Sequence, residues 1–121
     1  MPRFVILEHD WPAVHWDLLL EAGGVLRAWR LLAEPGPGRT VPAEPNFDHR
    51  LAYLEYEGPL TGDRGRVKRW DAGEFEWLDN TSPPQSRGRG EEQRLVILLN
   101  GSALSGRFEI VDGQFRRATG D

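Results

Sequence analysis

Cysteine is absent from this chain, which removes disulfides and thiolate–zinc sites and makes a reducing cytoplasm the default compartment. Long apolar runs are absent too. No stretch approaches the roughly 20 residues that a membrane-spanning helix needs. The opening Met1-Pro2-Arg3-Phe4-Val5-Ile6-Leu7-Glu8 turns charged too soon for a signal peptide. The expectation is a cytoplasmic protein without a membrane partner. Lysine is nearly missing: Lys68 is the only one among 15 basic residues, and the rest are arginine, the side chain suited to bidentate phosphate contacts. A net charge of −4 argues against nucleic acid held by bulk electrostatics. Basic residues nonetheless crowd locally, at Arg64, Arg66, Lys68 and Arg69 and again at Arg87, Arg89 and Arg94. The 121 residues suffice for one domain, 1–121, with its own core.

Histidine is as scarce as lysine is rare, and its placement is uneven. Two of the three, His9 and His15, lie six residues apart with Asp17 just beyond. On a strand, residues i and i+2 project from one face with Cβ atoms roughly 6–7 Å apart, so His15 and Asp17 can reach one divalent ion. His9 would join them from the end of a neighbouring strand. On spacing alone, a solvated pair on an exposed strand face is the commoner outcome. The third histidine, His49, stands four residues before Tyr53, so a regular strand puts both on one face. Such a pair can donate to a phosphoryl oxygen or move a proton. Taken alone, the pair reads rather as a loop histidine beside Asp48 and an aromatic core of Tyr53 and Tyr56. The tryptophans divide similarly. Trp16, Trp29, Trp70 and Trp77 sit in strand patterns and read as core, whereas Trp11 reads as a loop anchor or a stacking surface for a base.

Hydrophobic patterning predicts strands at residues 3–9, 14–21, 25–32, 51–56, 65–70, 73–78, 94–99, 103–111 and 114–117. Gly23-Gly24, Asn100-Gly101 and Asp112-Gly113 read as hairpin turns. Residues 33–47, with four prolines and two glycines, read as a long irregular loop, and residues 79–92 as a second. No helix is expected. The fold class is all-β: a compact, mostly antiparallel β-barrel of about eight strands with long irregular loops.

Taken together, these runs resemble the 3′-phosphoesterase domain of bacterial DNA ligase D. That family has a strand ending Glu-His, then His-aromatic-Asp-x-Arg-x-Glu, a Gly-Val-Leu-x-x-Trp strand, Asp-His-x-x-x-Tyr followed by Glu-Gly, and later Trp-Asp-x-Gly. This chain carries Glu8-His9, then His15-Trp16-Asp17-Leu18-Leu19-Leu20-Glu21, then Gly24-Val25-Leu26-Arg27-Ala28-Trp29. It continues with Asp48-His49-Arg50-Leu51-Ala52-Tyr53, Glu57-Gly58 and Trp70-Asp71-Ala72-Gly73, in the same order. The resemblance implies a manganese-dependent enzyme, with Zn2+ or Co2+ as alternatives. Its substrates would be nucleic-acid 3′ ends on primer–template DNA or RNA–DNA. It would remove a 3′-terminal ribonucleoside, a 3′-phosphate, or both, in DNA repair. Carried over by position, His9, His15 and Asp17 hold the metal, while His49 and Tyr53 engage the scissile phosphate.

One departure stands out. Leu19 occupies the place of an arginine essential to the family, and a leucine cannot clamp phosphate. Arg50, Arg64 and Arg66 are the first candidates for that missing charge, with Arg30 and Arg39 behind them; spacing does not choose. An alternative follows: a non-catalytic module that binds metal or DNA ends and recruits a separate ligase or polymerase. A further reading, an iron oxygenase using His15, Asp17 and His49 as ligands, leaves His9 without a role.

Overall fold

The computed structural model describes residues 1–80 and 94–118. Nine strands occur in chain order: β1 (Arg3–His9), β2 (His15–Ala22), β3 (Val25–Leu31), β4 (Val41–His49), β5 (Gly58–Pro59), β6 (Arg66–Asn80), β7 (Leu95–Gly101), β8 (Ser105–Val111) and β9 (Gln114–Arg117). They form one antiparallel sheet in the order β1-β2-β3-β4-β9-β8-β7-β6-β5, and a further β1–β6 pairing closes it. Eight strands therefore make a closed barrel, with the two-residue β5 laid beside the start of β6. Closure removes the free edges that an open sheet would expose. Among the described residues no helix is long and apolar enough to cross a membrane.

The barrel interior is the cluster to which all eight ring strands contribute. It includes Phe4 and Ile6 from β1, Leu18 and Leu20 from β2, Phe75 from β6 and Ile97 and Leu99 from β7, with Phe108 and Phe115 from β8 and β9 stacked at 5.2 Å. A second cluster draws on the other face of a few strands only: Val5, Leu7, Leu19, Leu26, Ala28 and Val67, capped by Leu54. These residues form an apolar layer outside the barrel, against β1, β2 and β3. Phe4-Val5-Ile6-Leu7 and Leu18-Leu19-Leu20 are thus continuous apolar runs rather than alternations because both faces of their strands are covered. The four tryptophans expected in the core do pack there: Trp29 is buried, and Trp16, Trp70 and Trp77 lie partly buried against the interior.

Several expected elements differ. Residues 41–49 form β4 despite Pro42 and Pro45. The Ala43 N–H donates to the Gly113 carbonyl, so position 45 faces the same side, beyond the last residue that β9 pairs. The N–H that proline lacks there would have had no strand to meet. Residues 51–56 are not a strand. Leu51–Leu54 is a single 3-10 turn, with Tyr53 N–H donating to the Arg50 carbonyl at 3.0 Å. The two strands expected at 65–70 and 73–78 are one, β6, because irregularities in register at Trp70 and Leu78 bend it without interrupting it. The first half pairs with β1 and the second with β7.

The turn expected at Asn100-Gly101 falls at Ser102-Ala103 instead, since Gly101 N–H still donates to the Leu104 carbonyl. Its stabiliser is distant in sequence: the buried Asp71 carboxylate accepts N–H bonds from Ser102, Ala103 and Leu104 at 2.8, 3.1 and 2.9 Å. Gly73 lies where any Cβ would collide with the Asn100 carbonyl. The Trp70-Asp71-Ala72-Gly73 run is therefore a device for seating the β7–β8 turn on β6. The hairpins at Gly23-Gly24 and Asp112-Gly113 form as expected, all four residues having positive φ. The loop expected at 79–92 lies, from residue 81 on, outside the described residues.

Candidate metal centre and phosphate cleft

The centre is built on the outer face of the β1–β2 pair. Register places His9 directly opposite His15 and Leu7 opposite Asp17. Cross-strand partners and i, i+2 neighbours share a face, so both imidazoles and the carboxylate emerge together at the end of the pair. Each of these residues offers one ligand atom, and the three atoms lie within 4.8 Å of one another. Leu7 and Leu19 continue the same face as the apolar outer layer, so the donors sit at the border between a dry layer and a cleft. His15 and Asp17 are buried, at 3% and 5% exposure.

Hydrogen bonds fix the ring nitrogens. His15 Nδ1 lies 2.9 Å from the Ala13 carbonyl oxygen and His9 Nε2 lies 2.8 Å from that of Arg64. A carbonyl only accepts, so those nitrogens carry the protons and the opposite nitrogens hold lone pairs. His15 Nε2 stands 3.3 Å from Asp17 Oδ1, and His9 Nδ1 stands 3.6 Å from Asp17 Oδ2. His15 Nε2 is buried and makes no hydrogen bond. Two lone pairs and a carboxylate thus converge while each imidazole is oriented from behind by a main-chain carbonyl, the arrangement found around metal-ligating histidines. The donor set fits a divalent cation. His15 is held protonated above the ordinary histidine value of 6.5: burial opposes the charge, but the Asp17 carboxylate and the Ala13 carbonyl outweigh it, with Arg30 working the other way.

A cleft of about 350 Å³ opens over these donors. His9, His15 and Asp17 line it together with His49, Tyr53, Arg50 and Arg64. His49 is the last residue of β4 and Tyr53 belongs to the 3-10 turn, so they meet by a change of chain direction rather than along a strand. Their rings meet edge to face at 5.7 Å, and Phe47 stacks on His49 at 5.4 Å. His49 Nδ1 donates to the Phe47 carbonyl at 2.9 Å, leaving Nε2 as its free nitrogen. Among the described residues the third donor beside His15 and Asp17 is His9, not His49, which removes the oxygenase arrangement.

The arginines separate by position. Arg64 lines the cleft, but its Nε and Nη2 donate to the Thr61 carbonyl and hydroxyl at 2.8 and 3.0 Å. Arg50 is exposed at the rim, and Arg66 is not part of the lining. The Arg66 backbone N–H is instead held by Asp10 Oδ1 at 2.8 Å, which ties the β1–β2 connection to β6. Leu19 is fully buried in the apolar layer and cannot reach the cleft.

Arg30 does line it, directly opposite Asp17 on β3. That placement was available from the chain itself: a two-residue turn at Gly23-Gly24 pairs Ala22 with Val25, and counting outward pairs Asp17 with Arg30. Trp11 and Phe47, both exposed, complete the cleft's aromatic rim. No local signal in the sequence announces the partners Ala13, Arg64 and Asp10, because main-chain acceptors and loop contacts leave none.

A closed antiparallel barrel that carries a two-histidine, one-carboxylate centre under a basic and aromatic cleft defines a class of small β-barrel proteins able to hold a metal ion. Within that class, residues 7–112 match the DNA Ligase D 3′-phosphoesterase domain, and the chain belongs to that family. It is 29% identical over 119 residues to a multifunctional non-homologous end joining protein of Pseudomonas aeruginosa. It is 30% identical over 113 residues to a multifunctional non-homologous end joining DNA repair protein of Mycobacterium tuberculosis. These alignments cover 94% and 89% of this chain but only 14% of either relative.

Proposed function

We propose that this chain is a metal-dependent phosphoesterase that processes the 3′ ends of nucleic acid in DNA repair, removing a 3′-ribonucleoside, a 3′-phosphate, or both. The observation that supports this most is the convergence of two oriented imidazole lone pairs and a carboxylate in the cleft that also receives His49 and Tyr53. His9, His15 and Asp17 hold the cation, with Mn2+ the expected ion and Zn2+ or Co2+ compatible with the same donors. A bound divalent ion polarises phosphoryl oxygens and offsets charge in the transition state.

The chain's own residues supply the rest. His49, its Nδ1–H oriented by the Phe47 carbonyl, presents Nε2 to the phosphoester; in the imidazolium form the Nε2–H either gives its proton to the leaving oxygen or donates a hydrogen bond to a phosphoryl oxygen. Tyr53, packed against His49, offers its hydroxyl to the same group. Arg50 and Arg64 border the path of an anionic strand into the cleft. The reading carries with it a cytoplasmic setting and a ligase or polymerase to use the finished end.

Leu19, sealed in the apolar layer, favours a second reading in which the chain binds metal or DNA ends without turnover and recruits another enzyme. A gel assay separates the two. Purified protein with manganese is given labelled primer–templates ending in a 3′-ribonucleotide or a 3′-phosphate, beside the His15→Ala variant. Shortened or dephosphorylated product that is absent from the variant supports the phosphoesterase; end binding without product in any divalent metal supports the module.

A further inference from the structure

Arg30 is charged, lines the cleft and, among the described residues, makes no side-chain hydrogen bond. Its Nε is buried and makes no hydrogen bond, and among the described residues its side chain forms no ion pair. A buried guanidinium N–H left unsatisfied is costly, and a ligand entering the cleft is one way to complete it. Its neighbour across the strand pair is Asp17, whose two oxygens are turned to His9 and His15.

We propose that Arg30 is the phosphate-gripping residue of this cleft and that it biases the site toward terminal phosphate monoesters over phosphodiesters. The proposal rests on the phosphoesterase reading for its substrate class. The other cations at the cleft are less suited: Arg64 spends two of its nitrogens on Thr61, and Arg50 is exposed to solvent. Position 19, next along β2 on the same face, holds a buried leucine and contributes no charge.

Charge supplies the specificity. Asp17 is the one carboxylate of the donor set, so a divalent ion bound there leaves a positive surplus, to which Arg30 adds. A terminal phosphate is mostly dianionic at neutral pH, its second pKa being about 6, whereas a diester carries one charge. The planar guanidinium also offers two parallel N–H groups to two phosphate oxygens, a pairing that a monoester presents without an obstructing second nucleoside.

The test is fluorescence anisotropy on manganese-loaded protein with three labelled oligonucleotides, one ending in a 3′-hydroxyl, one in a 3′-methylenephosphonate and one in the monomethyl ester of that phosphonate, which carries the single charge of a diester. The carbon–phosphorus bond of the second resists hydrolysis. Wild-type protein should prefer the unesterified phosphonate end over both others by about tenfold or more, as expected for charge-assisted hydrogen bonds. Arg30→Gln should lose that preference, and Arg30→Lys, which keeps the charge and stem, should lose part of it. Both variants should bind manganese at least as tightly as wild type, which also reports an intact fold. An undiminished preference in both variants, or no preference in wild type, overturns the assignment. Turnover of a genuine 3′-phosphate is scored separately: its absence in wild type counts against the phosphoesterase reading, while the binding comparison still decides Arg30.

Discussion

His15 is tied through Nδ1 to the carbonyl of Ala13 at 2.9 Å, and that bond decides which nitrogen meets a cation. Nε2 is left facing Asp17, and the same carboxylate that would share a metal ion holds a proton on His15 beyond the ordinary histidine range. Proton and cation therefore compete for one lone pair.

The competition has a definite sign. Because the folded value lies above 6.5, protonated His15 contributes stability to the metal-free protein. That contribution is complete below the unfolded value and lost as pH rises through the folded one. Metal affinity runs oppositely: below the folded value it should weaken by about tenfold per pH unit for this one proton. Titrating manganese into the protein at several pH values by calorimetry checks this, as proton release on binding also should. An affinity flat across the neutral and mildly acidic range would remove His15 from the ligand set.

Removing any one donor should disable the centre while sparing the barrel. His9, His15 and Asp17 lie at the end of the β1–β2 pair, outside the interior cluster that holds the fold together. Loss of a partner behind a ligand typically costs 10–100-fold in affinity, so His9→Ala, His15→Ala and Asp17→Asn should each cost at least about 100-fold. Turnover should fall with metal occupancy, and a chelator should reproduce the loss in wild type. Manganese binding by calorimetry beside circular dichroism makes the comparison; a variant that retains wild-type affinity is not a ligand.

That His9, His15 and Asp17 come together is legible in the chain for a physical reason. His15 and Asp17 lie within one strand, and His9 ends the strand before it, so period-two alternation and one short connection were enough to bring them together. The Gly23-Gly24 and Asp112-Gly113 turns were equally legible because positive φ at both central residues demands such residues. Where tertiary contacts decided the outcome, the local signal misled. Pro45 reads as a strand breaker, yet it sits where β9 has already ended. Asn100-Gly101 reads as a turn, but Asp71, some thirty residues earlier, pulls the turn two residues along. Leu51-Ala52-Tyr53-Leu54 alternates too weakly to tell a strand from a 3-10 turn, and only the change of direction after β4 selects the latter.

His49 is predicted to matter for turnover and not for metal. Its ring is held by the Phe47 carbonyl and packed against Phe47 and Tyr53, and the metal donors form a closed set without it. His49→Ala should leave manganese affinity within about threefold of wild type and lower the maximal rate by roughly 10²–10⁴, the range for a positioned acid or base. Single-turnover measurements at saturating metal check the split. A manganese affinity that falls together with the rate would show that His49 acts through the cation instead.

Asp71 tests whether the Trp70-Asp71-Ala72-Gly73 run serves structure rather than chemistry. Its carboxylate is 4% exposed and accepts N–H bonds from Ser102, Ala103 and Leu104, besides that of Ala72 at 2.9 Å, and it takes no part in lining the cleft. Asp71→Ala strands those donors under the β7–β8 turn and should cost about 2–4 kcal/mol in urea unfolding, the range for lost hydrogen bonds to a charged group plus buried unsatisfied donors. Asp71→Asn keeps one acceptor oxygen and gains an NH₂ where only acceptors are wanted, so it should be milder but still destabilising. Manganese affinity, measured where both variants remain folded, should be unchanged. A variant of wild-type stability with impaired metal binding or turnover would move Asp71 from the fold to the site.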